Sequence, residues 1–323
     1  MLTTELIDQI LTTIPHRTVG LVGDLFLDRY LDIEPERDEP SIETGLTAYQ
    51  VTRVRAYPGA LGTVVNNLAA LGVGRIIPIA VIGDDGEGYE LRQALAKLPG
   101  VDVNGLVIAP DRRTPTYTKP MYGTRELNRL DIKNRTPTPG EYENAILERL
   151  DALWSRCDAL LVLDQVTEED CGVITARVRD WLAERAGAEP QKFVLADSRV
   201  RIGLFHNVCA KPNESELKSI PEGVAALFIT KGDQGIELRR RDAKSNGWQM
   251  QMIAGFPVSG PVDIVGAGDS CSAGIACGEM CGLSHEQAAA FGNLVASITI
   301  QQLGTTGTAS PEQVRQRWRE VTK

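Results

Sequence analysis

With 323 residues, 42% of them apolar and 24% charged, the chain has enough apolar material for the core of a large α/β unit. A formal charge of −9 excludes broad electrostatic binding to nucleic acid or to a membrane surface, although one locally positive site can still hold an anion. No basic stretch followed by an apolar run opens the chain, and no apolar run approaches the ~20 residues that span a bilayer, so a cytoplasmic protein is expected.

In chain order, 18–23 reads as a buried strand that ends at Asp24. Residues 27–57 alternate polar and apolar positions, as do 114–132. The two segments are predicted to form antiparallel strands of one small sheet outside the main body. A helix is expected over 62–71, stopped by Gly72, then a core strand over 75–82 and a helix over 86–98. Next come a helix over 141–153, a strand over 159–163 ending at Asp164, a helix over 167–185, and a strand over 192–196 ending at Asp197. Short strands follow at 207–210 and 225–229, running into Lys211-Pro212-Asn213 and Thr230-Lys231-Gly232. A hairpin around 235–252 precedes two long helices, 266–281 and 284–302, and a last helix after Ser310. Such alternation implies a mostly parallel central sheet with helices on both faces. Ligands of these sheets bind beyond the strands' carboxyl ends, where Asp24, Asp164, Asp197, Asn213 and Thr230 gather. Each of these residues would also serve as an ordinary turn residue or helix cap.

The six cysteines form no C-x-x-C pair and read as reduced, buried small residues. Cys277 and Cys281 lie four apart on a predicted helix, a spacing open to a metal pair, but the three histidines complete no familiar zinc pattern.

Chemistry concentrates in Asp263-Ile264-Val265-Gly266-Ala267-Gly268-Asp269, directly before a helix of small residues. Gly266, Ala267 and Gly268 let backbone N–H groups approach a ligand, and a helix N-terminus favours an anion such as a transferring phosphoryl group. Asp269, in the first turn, is placed to take the proton of an attacking hydroxyl. The same residues would equally suit a tight turn with an acid favourable to the helix dipole. Neither G-x-x-x-x-G-K-[ST] nor G-x-G-x-x-G occurs, so a nucleotide site must be of another kind.

Over nearly its whole length the chain resembles the ribokinase-like (PfkB) carbohydrate kinases. The 266–269 segment resembles the family's C-terminal signature, and Pro58-Gly59 through Asn67 to Gly72 resembles its N-terminal one. The stretches 22–30, 127–131 and 303–308 are similar to the bacterial heptose-7-phosphate kinases of that family. The resemblance implies one kinase domain over 1–323 with a lid from about 27–57 and 114–132. It implies Asp269 as base and the amides of Gly266, Ala267 and Gly268 as anion hole. Asn213 and Glu216 would organise Mg²⁺, through water, and the phosphates of ATP. Thr230, Gly232 and Gly235 would form the nucleotide loop, with Asn293 and Gly304 bordering the adenine. Asp24, Asp28, Gly59, Thr63, Asn67 and Arg129 would meet the sugar or sugar-phosphate substrate, and Asp263 would be a candidate ligand for K⁺. Homodimerisation through the lid is also implied.

The chain departs from the family pattern at Ala60, Thr63, Val265 and Gln165, mainly on the acceptor side. Arg112, Arg113, Arg125, Arg129 and Arg201 are candidates to read a substrate phosphate. Two other readings stay open: a nucleoside kinase of the same fold, using lid tyrosines such as Tyr117, and a non-catalytic sugar- or nucleotide-binding regulator.

Overall fold

The structure is a computed structural model that describes residues 2–217, 221–241 and 247–322. Its frame is an eight-stranded sheet in the order Trp248–Ala254, Gly235–Arg241, Ala226–Thr230, Cys209–Ala210, Phe193–Ser198, Ala159–Asp164, Thr18–Gly23, Arg75–Ile79. Every pairing is parallel except the two at the Trp248–Ala254 edge, which form the expected hairpin. The turn of that hairpin lies outside the described residues.

Side chains alternate across a strand, so an apolar run presents two faces and needs cover on both. Leu161, Leu163 and Leu195 pack under the helices Leu61–Leu71, Ala267–Met280 and His285–Thr299. Leu160, Val162 and Val194 pack under Gly140–Trp154 and Ala176–Ala188. Each such side chain contributes about 1.5–3 kcal/mol when fully buried. Ser284 and Ser310 start the last two helices with reciprocal capping by Gln287 and Gln313, so these starts are fixed locally.

The chain leaves the first core strand through Asp24 directly into Leu25–Ile33, the centre of a second, five-stranded sheet. This strand pairs antiparallel with Val51–Ala60 and parallel with Thr116–Tyr122, which carries Arg125–Glu126 and Leu130–Ile132. Both alternating segments therefore join one small sheet, but the join between them is parallel rather than antiparallel.

Three expected elements change. The strand expected over 75–82 breaks after Ile79, and Val81–Gly83 pairs separately with Val107–Ala109. The N–H of Val107 bonds to the carbonyl of Ala80 at 2.8 Å, which draws the chain off the sheet edge. The strand over 207–210 shortens to Cys209–Ala210 because Asn207 has φ +60°. The helix over 167–185 starts only at Ala176, capped by Thr175; residues 165–173 form a loop whose amides are taken by a side chain described below.

All six cysteines are buried and unpaired, and burial pushes every one of their thiols upward in pKa. Among the described residues, no group of three or more His, Cys, Asp or Glu could hold a metal ion, so Cys277 and Cys281 are core residues. No helix of the described residues is long and apolar enough to cross a membrane.

Candidate active site

The parallel strands align their carboxyl ends on one side of the sheet, and a cleft of about 620 Å³ opens there. Asp197 and Thr230 reach it from strand ends, Asn213 and Glu216 from the turn after Cys209–Ala210, and Gly266, Gly268 and Asp269 from the helix start opposite. Most of the residues expected around the phosphates therefore share one wall-to-wall space.

The helix start is shaped by Gly266, which adopts φ +79°, in the left-handed region. A Cβ there would lie 2.5 Å from Cγ2 of Thr306 and 3.5 Å from Cγ2 of Thr63. The turn thus packs against both the C-terminal loop and the N-terminal signature. The amide of Ala267 is spent on the carbonyl of Ile264 at 3.1 Å. Of the three amides expected to form an anion hole, that of Ala267 is thus engaged within the turn, while helix geometry leaves the N–H groups of Gly268 and of the following Asp269 without an intrahelical acceptor.

Asp269 is half-buried. Burial, then the neighbouring Asp197, push its carboxyl up to about 7, while Lys211 and Arg199 pull it down. Lys211 is only 4% exposed and pairs with Asp197 at 2.8 Å. Its Nζ lies 3.6 Å from where a Cβ on Gly268 would stand, so the cation faces the glycine turn. Burial works against its charge, and Asp197 together with Asp269 outweigh that, holding Lys211 charged. Lys211 and Arg199 are the residues of this cleft that sequence reasoning missed. The signal for Lys211 was a cation placed directly after the buried Cys209–Ala210 strand.

Asn213 and Glu216 cap each other. Asn213 Oδ1 accepts from the amides of Ser215 and Glu216 at 2.9 and 3.0 Å, and Glu216 Oε2 accepts from the Asn213 amide at 2.8 Å. Glu216 lines the cleft, only its Oε2 is used in this capping, and burial raises the carboxyl's pKa. An oxygen donor with one free lobe at a roomy, polar site fits Mg²⁺, which keeps several waters.

Beyond Thr230 and Gly268, a second and largely apolar pocket of about 470 Å³ continues from the cleft. Gly232, Gly235, Ala267 and Asn293 line it. Gly235 has φ +100°, and a Cβ on it would lie 2.2 Å from the carbonyl oxygen of Ile253. Asn293 Nδ2 donates to the carbonyls of Ile253 and Ala254, at 3.0 and 3.1 Å, so it fixes the pocket wall. Asp263 accepts from the amides of Val265 at 3.1 Å and Gly304 at 3.0 Å. Through these two bonds Asp263 braces the Gly304 loop against the glycine turn.

Where the small sheet meets the core, Asp24 lines a small cavity of about 70 Å³ with Phe26, Tyr117 and Lys133. Most of the other expected sugar ligands lie elsewhere. Asp28 packs on Gly59 and pairs with Lys119 at 3.4 Å. Asn67 is fully buried and donates to the Thr63 carbonyl at 2.9 Å, while its Oδ1 has no partner. Arg129 stacks over Tyr117 and pairs with Asp131 at 2.7 Å. Arg112, Arg113 and Arg201 are likewise committed, to loop carbonyls, to Asp85 and to Asp164 respectively.

Residues 204–313 match the profile of the pfkB family carbohydrate kinases. The chain is 29% identical over 315 residues to the "Bifunctional protein HldE" of Geotalea uraniireducens and 28% identical over 313 residues to that of Geobacter metallireducens. Each match covers 91% of this chain and 61% of the relative, so the chain spans about three fifths of the length of the curated relatives it matches. Among solved structures, ribokinase from Thermotoga maritima aligns with a TM-score of 0.67 at 19% identity, over 94% of this chain and 99% of that one. Arabidopsis thaliana ribokinase complexed with ribose and ATP aligns with 0.64 at 17%, over 93% and 98%. A putative ribokinase II from E. coli in complex with ATP and Mg²⁺ aligns with 0.64 at 18%, over 94% and 99%. With the sheet order, these matches show a ribokinase-like α/β fold in which residues 204–313 resemble the pfkB family carbohydrate kinases.

Proposed function

We propose that the chain is an ATP-dependent phosphotransferase acting on a hydroxyl of a sugar or sugar phosphate, with Asp269 as general base. One observation carries the reading: a carboxyl raised to about 7 stands in the first turn of a glycine-started helix, between a polar cleft and an apolar pocket. A base near neutral pKa can hold and release a proton at working pH. The apolar pocket takes the adenine and the cleft takes the phosphates. The amides of Gly268 and Asp269, with Lys211, meet the γ-phosphate. Asp269 takes the acceptor's hydroxyl proton as that oxygen bonds to phosphorus, and the bond to the β-phosphate bridging oxygen breaks. Mg²⁺ held through Glu216 and water would offset phosphate charge there.

The small sheet is proposed as a lid that excludes water, and as the dimer contact. Its exposed Ile42, Leu46, Tyr49 and Val54 support the contact. Phe26 and Tyr117 in the acceptor cavity favour a second reading, a nucleoside acceptor stacked on aromatic rings. Assaying a panel of sugars, sugar phosphates and nucleosides with wild type and Asp269→Asn tests the proposal. Turnover of no member by wild type would favour a non-catalytic binder. Full activity in Asp269→Asn would remove the base. Light scattering that finds a monomer at micromolar concentration would remove the dimer.

A further inference from the structure

Asp24 does something other than wait for a sugar. It is 2% exposed, and its carboxylate is already occupied. Oδ2 accepts from the amides of Gln165 and Val166 at 2.7 and 2.8 Å, and Oδ1 accepts from the amide of Val173 at 2.7 Å. A carboxylate offers about four acceptor positions, and three short bonds take three of them. Gripping a sugar diol through both oxygens would mean giving these bonds up. The loop is shaped to this grip: a Cβ on Gly172 would lie 2.5 Å from Asp24 Oδ1. From the other side, Arg112 bonds to the Cys171 carbonyl at 2.8 Å and Thr138 to the Gly172 carbonyl at 2.7 Å. Arg201 bonds to the Thr167 carbonyl at 3.1 Å.

The loop therefore forms a fixed wall of the acceptor cavity, whose volume of about 70 Å³ is small beside the 620 Å³ cleft. Gln165 and Thr167 line both spaces, and Gln165 Oε1 accepts from Arg199 Nε at 2.8 Å. Gln165 thus stands at the passage between acceptor and phosphate. We propose that Asp24 is a positioning residue that folds the 165–173 loop into the acceptor wall, and that Gln165 on that wall selects the acceptor. The proposal rests on the kinase reading for its second half only.

The test uses the full chain. Hydrogen exchange followed by mass spectrometry should show amides of 165–173 exchanging at least about tenfold faster in Asp24→Asn, with the helix Ala267–Met280 unchanged. Gly172→Ala pushes on the same carboxylate without changing charge and should reproduce the effect if Asp24→Asn fails to fold. Unchanged exchange in the folded variants refutes the anchor. For selection, ribose, fructose 6-phosphate, a heptose 7-phosphate and adenosine are compared as acceptors. Gln165→Ala should change their relative kcat/KM by about tenfold or more while KM for ATP stays within about twofold. An unaltered ranking overturns the selecting role. Should wild type phosphorylate none of the four, the kinase reading and the selecting role fall together, and exchange still decides the anchor by itself.

Discussion

Replacing Gly266 with alanine loads two separable strains onto the helix start. The first is conformational: φ +79° is left-handed, which costs a residue with a Cβ about 1–2 kcal/mol. The second is steric, since the new Cβ would lie 2.5 Å from Thr306 Cγ2, and forced overpacking costs about 1–3 kcal/mol. The sum is about 2–5 kcal/mol of stability. If the turn relaxes by moving the Gly268 and Asp269 amides, turnover should fall about 10²–10³-fold, the effect of losing an oxyanion donor. Thr306→Ala removes the offending methyl, and the next contact, Thr63 Cγ2 at 3.5 Å, is ordinary packing. The double variant should therefore regain the steric part and keep the conformational part. Urea unfolding of the two single variants and the double variant, with kcat measured on each, gives the cycle. A loss below about 0.5 kcal/mol in Gly266→Ala, or no recovery in the double variant, would refute this account of the turn.

Further outcomes are expected. Asp269→Asn should lower kcat/KM by about 10²–10⁴-fold with ATP binding retained, read by kinetics and calorimetry. Its pKa is raised from the ordinary 3.8 to about 7, so the Asp269 contribution to stability is present below about 4 and lost as pH rises through about 7. The melting temperature of Asp269→Asn relative to wild type should accordingly be higher at pH 8 than at pH 5. Wild-type kcat/KM should rise with pH through about 7, and Lys211→Met, which removes a cation that lowers Asp269, should move that midpoint upward. Gly235→Ala meets the Ile253 carbonyl at 2.2 Å and should destabilise far more than Gly232→Ala, whose Cβ meets nothing within 4 Å, by denaturant midpoint. Ala60 holds φ +52° and ψ −117°, so Ala60→Gly should relieve strain and stabilise by about 1 kcal/mol.

What was legible in the sequence was local. Gly266 to Asp269 could be read because a glycine turn and a first-turn acid carry their geometry with them, and Asn213 could be read as a cap for the same reason, whereas Glu216 was singled out only through the family resemblance. The parallel core was legible because its strands are apolar on both faces. What was hidden depends on distant partners. Lys211 gains its meaning from Asp197 and the facing glycine turn, and Arg199 from Gln165. The helix expected over 167–185 starts late because Asp24, 141 residues from Gln165, takes the amide of Val173 inside that span and those of Gln165 and Val166 just before it. The strand over 75–82 divided because Ala80 bonds to Val107 rather than continuing the edge.

The six buried thiols turn the fold into its own clock. Cys157 and Cys209 lie at the sheet, Cys171 in the acceptor wall, and Cys271, Cys277 and Cys281 along the helix beginning at the glycine turn or at its cap. Burial keeps each thiol protonated, and at Cys157, Cys209, Cys277 and Cys281, which line none of the cavities above, alkylation in the native state must wait for an opening. Labelling rates at the separate cysteines would then time the opening of each part of the molecule. Saturating nucleotide should slow the clock at Cys271, which lines the apolar pocket, more than at Cys157 on the far side of the sheet.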